Sequence, residues 1–190
     1  SVFVEAEKIY NELGETLRGV CLLKELSLCS LDKIMSFGEQ LSSFIISEAI
    51  NSKNIFCEFV DVRSLIKTDS NFGSANVDIK KTYKNISTFF KNKQGLFLVG
   101  GFVASNDKGV FTTLGRGGSD YTASLLGAGI NAEVIEIWTD TDGVLTADPS
   151  KVSGTFSLDK ISYLEAGELS YFGAKVIYSK TMKPAQEKSI

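Results

Sequence analysis

Residues 114–124 read LGRGGSDYTAS and combine features of opposite electrostatic preference. Gly115, Gly117 and Gly118 lead into a helix-like stretch, with Ser119 placed to cap it. A glycine turn that opens a helix presents unpaired backbone N–H groups at the positive end of the helix dipole, and so attracts anions. Arg116 adds a guanidinium fork shaped for carboxylate or phosphate. Asp120, in the first turn of the same helix, opposes a purely anionic ligand. The stretch is not a Walker A loop, since no Lys-Ser/Thr closes a G-x-x-x-x-G frame, and its spacing is not that of a dinucleotide fingerprint. A free amino acid suits both signs: Arg116 and the backbone donors take its carboxylate, and Asp120 its ammonium. A second role is open to Asp120, that of organising an active-site lysine. The plain alternative for the whole stretch is a tight connection.

Three further places carry reactive groups. Glu39 follows Gly38 inside SFGEQLSS, an otherwise helical stretch. A glycine inside a helix costs about 1 kcal/mol relative to alanine, which points to close approach of a ligand or another backbone, with the acid beside it placed for an ammonium. TDTDG (139–143) ends an apolar run with Thr139, Asp140 and Asp142. It lacks the remaining oxygens of an EF-hand, which leaves a polar turn, a ribose contact or phosphate-bound magnesium. Lys175 stands two residues beyond Gly173, as a solvated cation or a phosphate ligand.

What is missing narrows the chemistry. The chain contains no histidine, which removes Ser-His-Asp and Cys-His catalysis and His-ligated metals. Cys21, Cys29 and Cys57 show no C-x-x-C spacing and read as small buried hydrophobes of a protein in a reducing cytoplasm. No protein-built metal site is expected. The 190 residues are 43% hydrophobic and 23% charged, sufficient for one domain with a sizeable core. A net charge of −3 with no long basic run argues against nucleic acid and anionic membrane surfaces as partners. No run of about 18 apolar residues is present, so no transmembrane helix is expected. The start, SVFVEAEKIYNEL, has neither an initiator Met nor the pattern of a signal peptide, and suggests a piece of a longer chain.

These residues need a scaffold. Phe3, Ala6, Ile9, Tyr10 and Leu13 recur at helical spacing. Ser30 reads as the cap of a long helix to about residue 50, with Leu31, Ile34, Met35, Leu41, Phe44, Ile45 and Ala49 facing inward. Residues 54–62 read as a strand and 67–78 as an irregular hairpin. A helix holding Tyr83, Ile86, Phe89 and Phe90 follows, then a buried strand at 96–99 and a short one at 110–114. The helix opened by the glycine turn runs to about residue 130, and VIEIW (134–138) is a further strand. Ser162 and Glu165 form a capping box for a helix that Gly173 ends. Alternating strands and helices predict an α/β fold with a mainly parallel sheet covered on both faces, and ligands beyond the carboxyl ends of the strands.

Taken together, SLDKIMSFGEQLSS, LVGGFVAS, TTLGRGGSDYTAS, EIWTDTDGVLTADP and SYLEAGELSYFGAKV resemble, in order and spacing, the aspartokinases of the amino acid kinase family. The resemblance runs from about residue 28 to 183. It implies a partial catalytic domain with a three-layer α/β/α sandwich that phosphorylates the side-chain carboxylate of L-aspartate with ATP, magnesium being held mainly through the phosphates. By position it assigns Glu39, Phe102, Arg116, Gly117, Gly118 and Ser119 to aspartate. It gives Asp120 and Lys175 catalytic roles, and Thr139, Asp140, Leu145, Ser150, Lys175 and Val176 the nucleotide side. It also implies a homo-oligomer in the full-length protein. The family's opening KFGGTS loop has no match, so this piece alone is expected to be nearly inactive. Leu145 and Ser150 replace the usual aromatic and arginine, which implies weakened ATP binding, and no ACT repeat follows. Two other readings are a sister amino acid kinase and a non-catalytic amino acid-binding module.

Overall fold

The computed structural model describes residues 2–140, 143–171 and 178–190. Two long helices, α1 (Val2–Leu23) and α2 (Leu28–Asn51), pack on each other at the start of the chain. The cap of α2 is Ser27, not Ser30: its extended backbone lets its hydroxyl accept from the Ser30 N–H at 3.1 Å. The Ser30 hydroxyl is 3.0 Å from that of Ser27, so Ser30 serves as the partner of the cap.

The inward face of α2 also differs from expectation. Asp32, Ser36, Phe37, Ser43 and Ser47 are buried, while Met35, Ile45 and Ala49 are exposed and Leu31, Ile34, Leu41 and Phe44 half-buried. The hydroxyls of Ser36 and Ser47 donate to the helix carbonyls of Lys33 and Phe44, each at 2.7 Å. Satisfied in this way, small polar side chains can be buried and allow the helix to lie close to the strands. The larger apolar residues fall on adjoining faces, partly toward α1, which itself has no buried residue.

After α2 come β1 (Cys57–Val60), the single turn α3 (Val62–Leu65), β2 (Lys67–Thr68), α4 (Ile79–Phe90), β3 (Leu96–Val99), β4 (Val103–Asn106) and β5 (Phe111–Thr113). The remaining helices are α5 (Gly118–Ile130), α6 (Tyr163–Tyr171) and α7 (Ser179–Lys188). β1 pairs with β3 in parallel; β2 pairs in parallel with β4, which pairs antiparallel with β5. The α/β class and the parallel pairs match expectation, but the strands form two small sheets instead of one.

The run 134–138 is not a strand, having no ladder partner among the described residues. Ile135 packs on α5 instead, where a Cβ on Gly127 would lie 2.5 Å from Ile135 Cδ1. The capping box of α6 is present: the Ser162 N–H donates to Glu165 at 2.8 Å and the Glu165 N–H to Ser162 Oγ at 3.2 Å. The Ser162 hydroxyl, which donates to Glu165 Oε2 at 2.6 Å, and then the Ser162 N–H hold the Glu165 carboxyl below the usual carboxylate range. Gly173 lies outside the described residues.

The core joins Val60, Leu65 and Ile66 to Ile86 of α4, Val103 and Ala104 of β4, and Leu125 of α5. One buried charge stands at its edge. Asp32, fully inaccessible to solvent, accepts from the Gly73 N–H at 2.9 Å, the Thr113 N–H at 3.0 Å and the Thr113 hydroxyl at 2.7 Å. It thereby ties α2 to the 67–78 hairpin and to the end of β5. Asp69 organises the hairpin itself, accepting from the side chain and backbone of Asn76 and from the Asn71 N–H, which lowers its pKa.

Asp32→Ala removes the acceptor of three donors, two of them on the fully buried Thr113, at about 1–3 kcal/mol for each buried group left unsatisfied. Urea unfolding of the variant should show a loss of at least about 2 kcal/mol with an unchanged m value. A loss below about 1 kcal/mol would show that water or neighbouring groups replace the carboxylate.

Candidate active site at the start of α5

The turn between β5 and α5 is built from backbone conformations open mainly to glycine. Gly115 has φ +73°, and Gly117, with φ +70° and ψ +16°, is the N-cap of α5. No side chain caps the helix. Ser119 is therefore not the cap but an exposed residue of the first turn, because the left-handed glycine starts the helix two residues earlier. The Gly118 N–H donates to Gly115 O and the Tyr121 N–H to Gly117 O, at 3.0 and 2.9 Å. The amides of Ser119 and Asp120, between them, donate to nothing among the described residues. Two open donors at a helix start form a site for an anion. Arg116 is exposed and Asp120 half-buried, and neither forms an ion pair among the described residues.

Residues 100–102 bind this turn to α2. A Cβ on Gly100 would lie 3.0 Å from Ser43 Oγ and 3.6 Å from the Glu39 carbonyl oxygen, both on α2. A Cβ on Gly101 would lie 2.8 Å from Ser119 Cα, and one on Gly118 2.9 Å from Phe102 Cδ2. Phe102 has φ +68°, a left-handed backbone that costs a non-glycine residue about 1–2 kcal/mol. Its N–H donates to Thr122 Oγ1 at 3.1 Å and its carbonyl accepts from the Leu114 N–H at 2.9 Å, so both its polar groups are fixed to the α5 side. Three elements meet with only hydrogen-sized gaps, bringing Glu39, Phe102, Gly117, Gly118 and Ser119 together, with Arg116 and Asp120 in the same turn.

Gly38 takes no part in this close approach: a Cβ there would meet nothing within 4 Å. The tight contacts fall instead to Gly100, Gly101 and Gly118. Beside Glu39 a narrow cleft of about 10 Å3, lined also by Gln40, Asp61, Arg63 and Gly100, has room for one water only. Arg63 is occupied there by both Asp61 oxygens and by the Phe111 ring at 4.4 Å. It leaves Arg116 as the open guanidinium of the turn.

The other assigned residues form a second cluster. Thr139 donates through its hydroxyl to Asp140 at 3.2 Å, both being exposed, beside an open basin of about 500 Å3 lined by Glu136, Ile137, Trp138, Thr139 and Gly143. Leu145 forms an antiparallel bridge with Ser157, and Ser150 directs its N–H and hydroxyl to Asp148 Oδ1 at 2.9 and 2.6 Å. Among the described residues no hydrogen bond or ion pair joins this cluster to the first. Asp142, Lys175 and Val176 lie outside the described residues.

Sequence reasoning missed Asp32, Ser43 and Thr122. The first two had a signal in the helical stripe Asp32, Ser36, Ser43, Ser47, which is too polar for an ordinary core face. Thr122 had none, since its role depends on a loop 20 residues away.

The fold is α/β with parallel strand pairs, and a glycine turn carrying both Arg116 and Asp120 opens α5. A family model described as the amino acid kinase family matches residues 4–190, and the chain belongs to that family. Its particular likeness is to aspartokinases. It is 42% identical over 185 residues to the bifunctional aspartokinase/homoserine dehydrogenase of Buchnera aphidicola, covering 95% of this chain and 23% of that protein. It is 35% identical over 189 residues to lysine-sensitive aspartokinase 3 of Escherichia coli, covering 96% and 42%. The crystal structure of E. coli aspartokinase III in complex with aspartate and ADP superposes with a TM-score of 0.91 at 34% identity, covering 99% of this chain and 42% of that one. The chain thus spans less than half the length of these relatives.

Gly101→Ala places a methyl group against the backbone of Ser119, which cannot move without shifting α5. On the aspartate-binding role proposed below, the intact variant should take L-aspartate at least about tenfold more weakly by calorimetry, with near-native circular dichroism. Unchanged affinity would show that residues 100–102 do not set the site.

Proposed function

We propose that the intact protein containing this chain is an aspartate kinase. It transfers the γ-phosphoryl group of ATP to the side-chain carboxylate of L-aspartate, giving 4-phospho-L-aspartate on the way to lysine, threonine and methionine. The observation that carries this reading is one turn holding the open Ser119 and Asp120 amides, Arg116 and the acid Asp120, packed through residues 100–102 against α2, the helix that carries Glu39. The E. coli relative that holds aspartate and ADP supports the choice of ligands.

In this reading Arg116 and the open amides bind a carboxylate and Glu39 receives the ammonium. Phe102, Gly117, Gly118 and Ser119 shape the contact. Asp120 either shares the ammonium or orients Lys175 toward the phosphates. Thr139, Asp140, Leu145, Ser150, Lys175 and Val176 serve the nucleotide. A carboxylate oxygen attacks the γ-phosphorus, the bond to the β,γ-bridging oxygen breaks, and ADP leaves with that electron pair. The attacking carboxylate is already ionised near neutral pH, so no proton has to be removed and no histidine is needed. Positioning and charge cancellation carry the rate.

Magnesium would be held mainly through the ATP phosphates, where it would offset their charge. The two small sheets belong, in the intact protein, to one mainly parallel sheet of a three-layer α/β/α sandwich. A cytoplasmic homo-oligomer completes the proposal. Among the described residues no helix is long and apolar enough to cross a membrane.

A non-catalytic amino acid-binding module is the second reading, favoured by one observation: the Ser150 hydroxyl is engaged by Asp148 and Leu145 offers no aromatic face to a base. Calorimetry with aspartate and ATP separately discriminates, since such a module takes aspartate and ignores nucleotide.

Arg116→Lys in the intact protein should lower kcat/KM for aspartate about ten- to a hundredfold, because an ammonium cannot reproduce a bidentate fork. The KM for ATP should change little. Unchanged aspartate kinetics would remove Arg116 from the site.

A further inference from the structure

The glycine turn must be held from the side away from residues 100–102, because a left-handed glycine with no capping side chain does not fix its own conformation. The start of α7 supplies the contact. A Cβ on Gly117 would lie 3.1 Å from Tyr178 Cβ, 3.6 Å from Tyr178 Cγ and 3.6 Å from Thr181 Oγ1, so a side chain at 117 would press on Tyr178, which packs directly against the turn. Tyr178 is the N-cap of α7, yet its side chain makes no capping hydrogen bond. Its identity therefore does not serve its own helix. Its carbonyl accepts from the Thr181 N–H at 2.8 Å, which fixes the two contacting residues relative to each other.

Thr181 is 4% exposed, and its buried hydroxyl has no partner among the described residues. Packing alone does not explain a buried hydroxyl there, since valine fills the same volume without a polar atom. Met182 and Ala185, also buried, belong to the same helix, which runs along α5. The wall behind Gly117 is thus anchored to the body of the protein.

We infer that Tyr178 and Thr181 are positioning residues of the anion-binding turn: they clamp Gly117 so that the Ser119 and Asp120 amides keep their direction toward the substrate carboxylate. The inference rests on the aspartate kinase reading for the identity of that substrate. The clamp itself is a property of the packing, so the two fail separately.

The test is a double-mutant cycle on the intact protein, with aspartate and ATP each varied. Tyr178→Gly removes the wall at little cost to α7, because glycine is an acceptable N-cap. It should raise the KM for aspartate about tenfold and leave kcat and the KM for ATP within about twofold. Tyr178→Phe, retaining Cβ and Cγ, should restore the wild-type KM. Gly117→Ala presses a methyl group on the wall and should lower kcat/KM for aspartate about a hundredfold. In the double variant the methyl group has space, so the loss should be smaller than the product of the two single losses. Where Tyr178→Gly does not fold, Thr181→Ala should raise the KM for aspartate in the same sense. An unchanged KM in Tyr178→Gly, or effects that simply multiply, would overturn the clamp. A wild-type protein without aspartate-dependent ADP release would instead overturn the functional reading.

Discussion

A single buried carboxylate sets the distance between the two halves of the site. Asp32 lies seven residues, about two helical turns, before Glu39 on α2. Its oxygens are bound by Thr113, three residues before Arg116, and by Gly73 of the hairpin. The hairpin in turn touches the turn itself, since a Cβ on Gly115 would lie 2.9 Å from Ser74 Oγ. Glu39 and Arg116, which carry opposite charge and come from distant parts of the sequence, are thereby fixed to one frame. A buried carboxylate is costly unless its hydrogen bonds are complete, so loosening this frame carries an energetic penalty.

On that frame the local electrostatics follow from what is left unpaired. Most polar groups near the site are spent: Arg63 on Asp61, Thr122 on Gly118 and Phe102, Ser150 on Asp148. Arg116, Asp120 and the amides of Ser119 and Asp120 are not, among the described residues. An exposed cation, an acid and two donors around one glycine turn suit a small molecule that carries both signs, as the proposed substrate does. Preorganised donors at the point where negative charge gathers are also what a phosphoryl transfer requires. The same turn can therefore bind a ground-state carboxylate and stabilise the charge that develops beside it.

Much of the site was legible because it depends on local rules. Glycines before a helix, an arginine between them and an acid in the first turn are read from one dozen residues, and the structure keeps them in one turn. The helix boundary was misread for a local reason as well, since the left-handed backbone at Gly117 moved the cap from Ser119. The face of α2 was not legible from hydrophobicity, because buried serines that bond their own helix look like surface residues in sequence. The strand expected at 134–138 has the right composition, but a strand exists only with a partner, and Ile135 packs on α5. Contacts between residues 100–102, α2 and α5 join residues 16 to 61 positions apart and leave no mark on sequence spacing.

The proposal turns on Asp120 and Glu39 reading the ammonium of the substrate. Calorimetric titration of the intact protein with L-aspartate and with succinate, in the presence of ADP, tests it most directly. Succinate keeps both carboxylates and lacks only the ammonium, so a missing charged hydrogen bond should weaken it by about ten- to a hundredfold. Equal affinity for the two ligands would contradict the account, because neither Glu39 nor Asp120 would then sense the charge that distinguishes them.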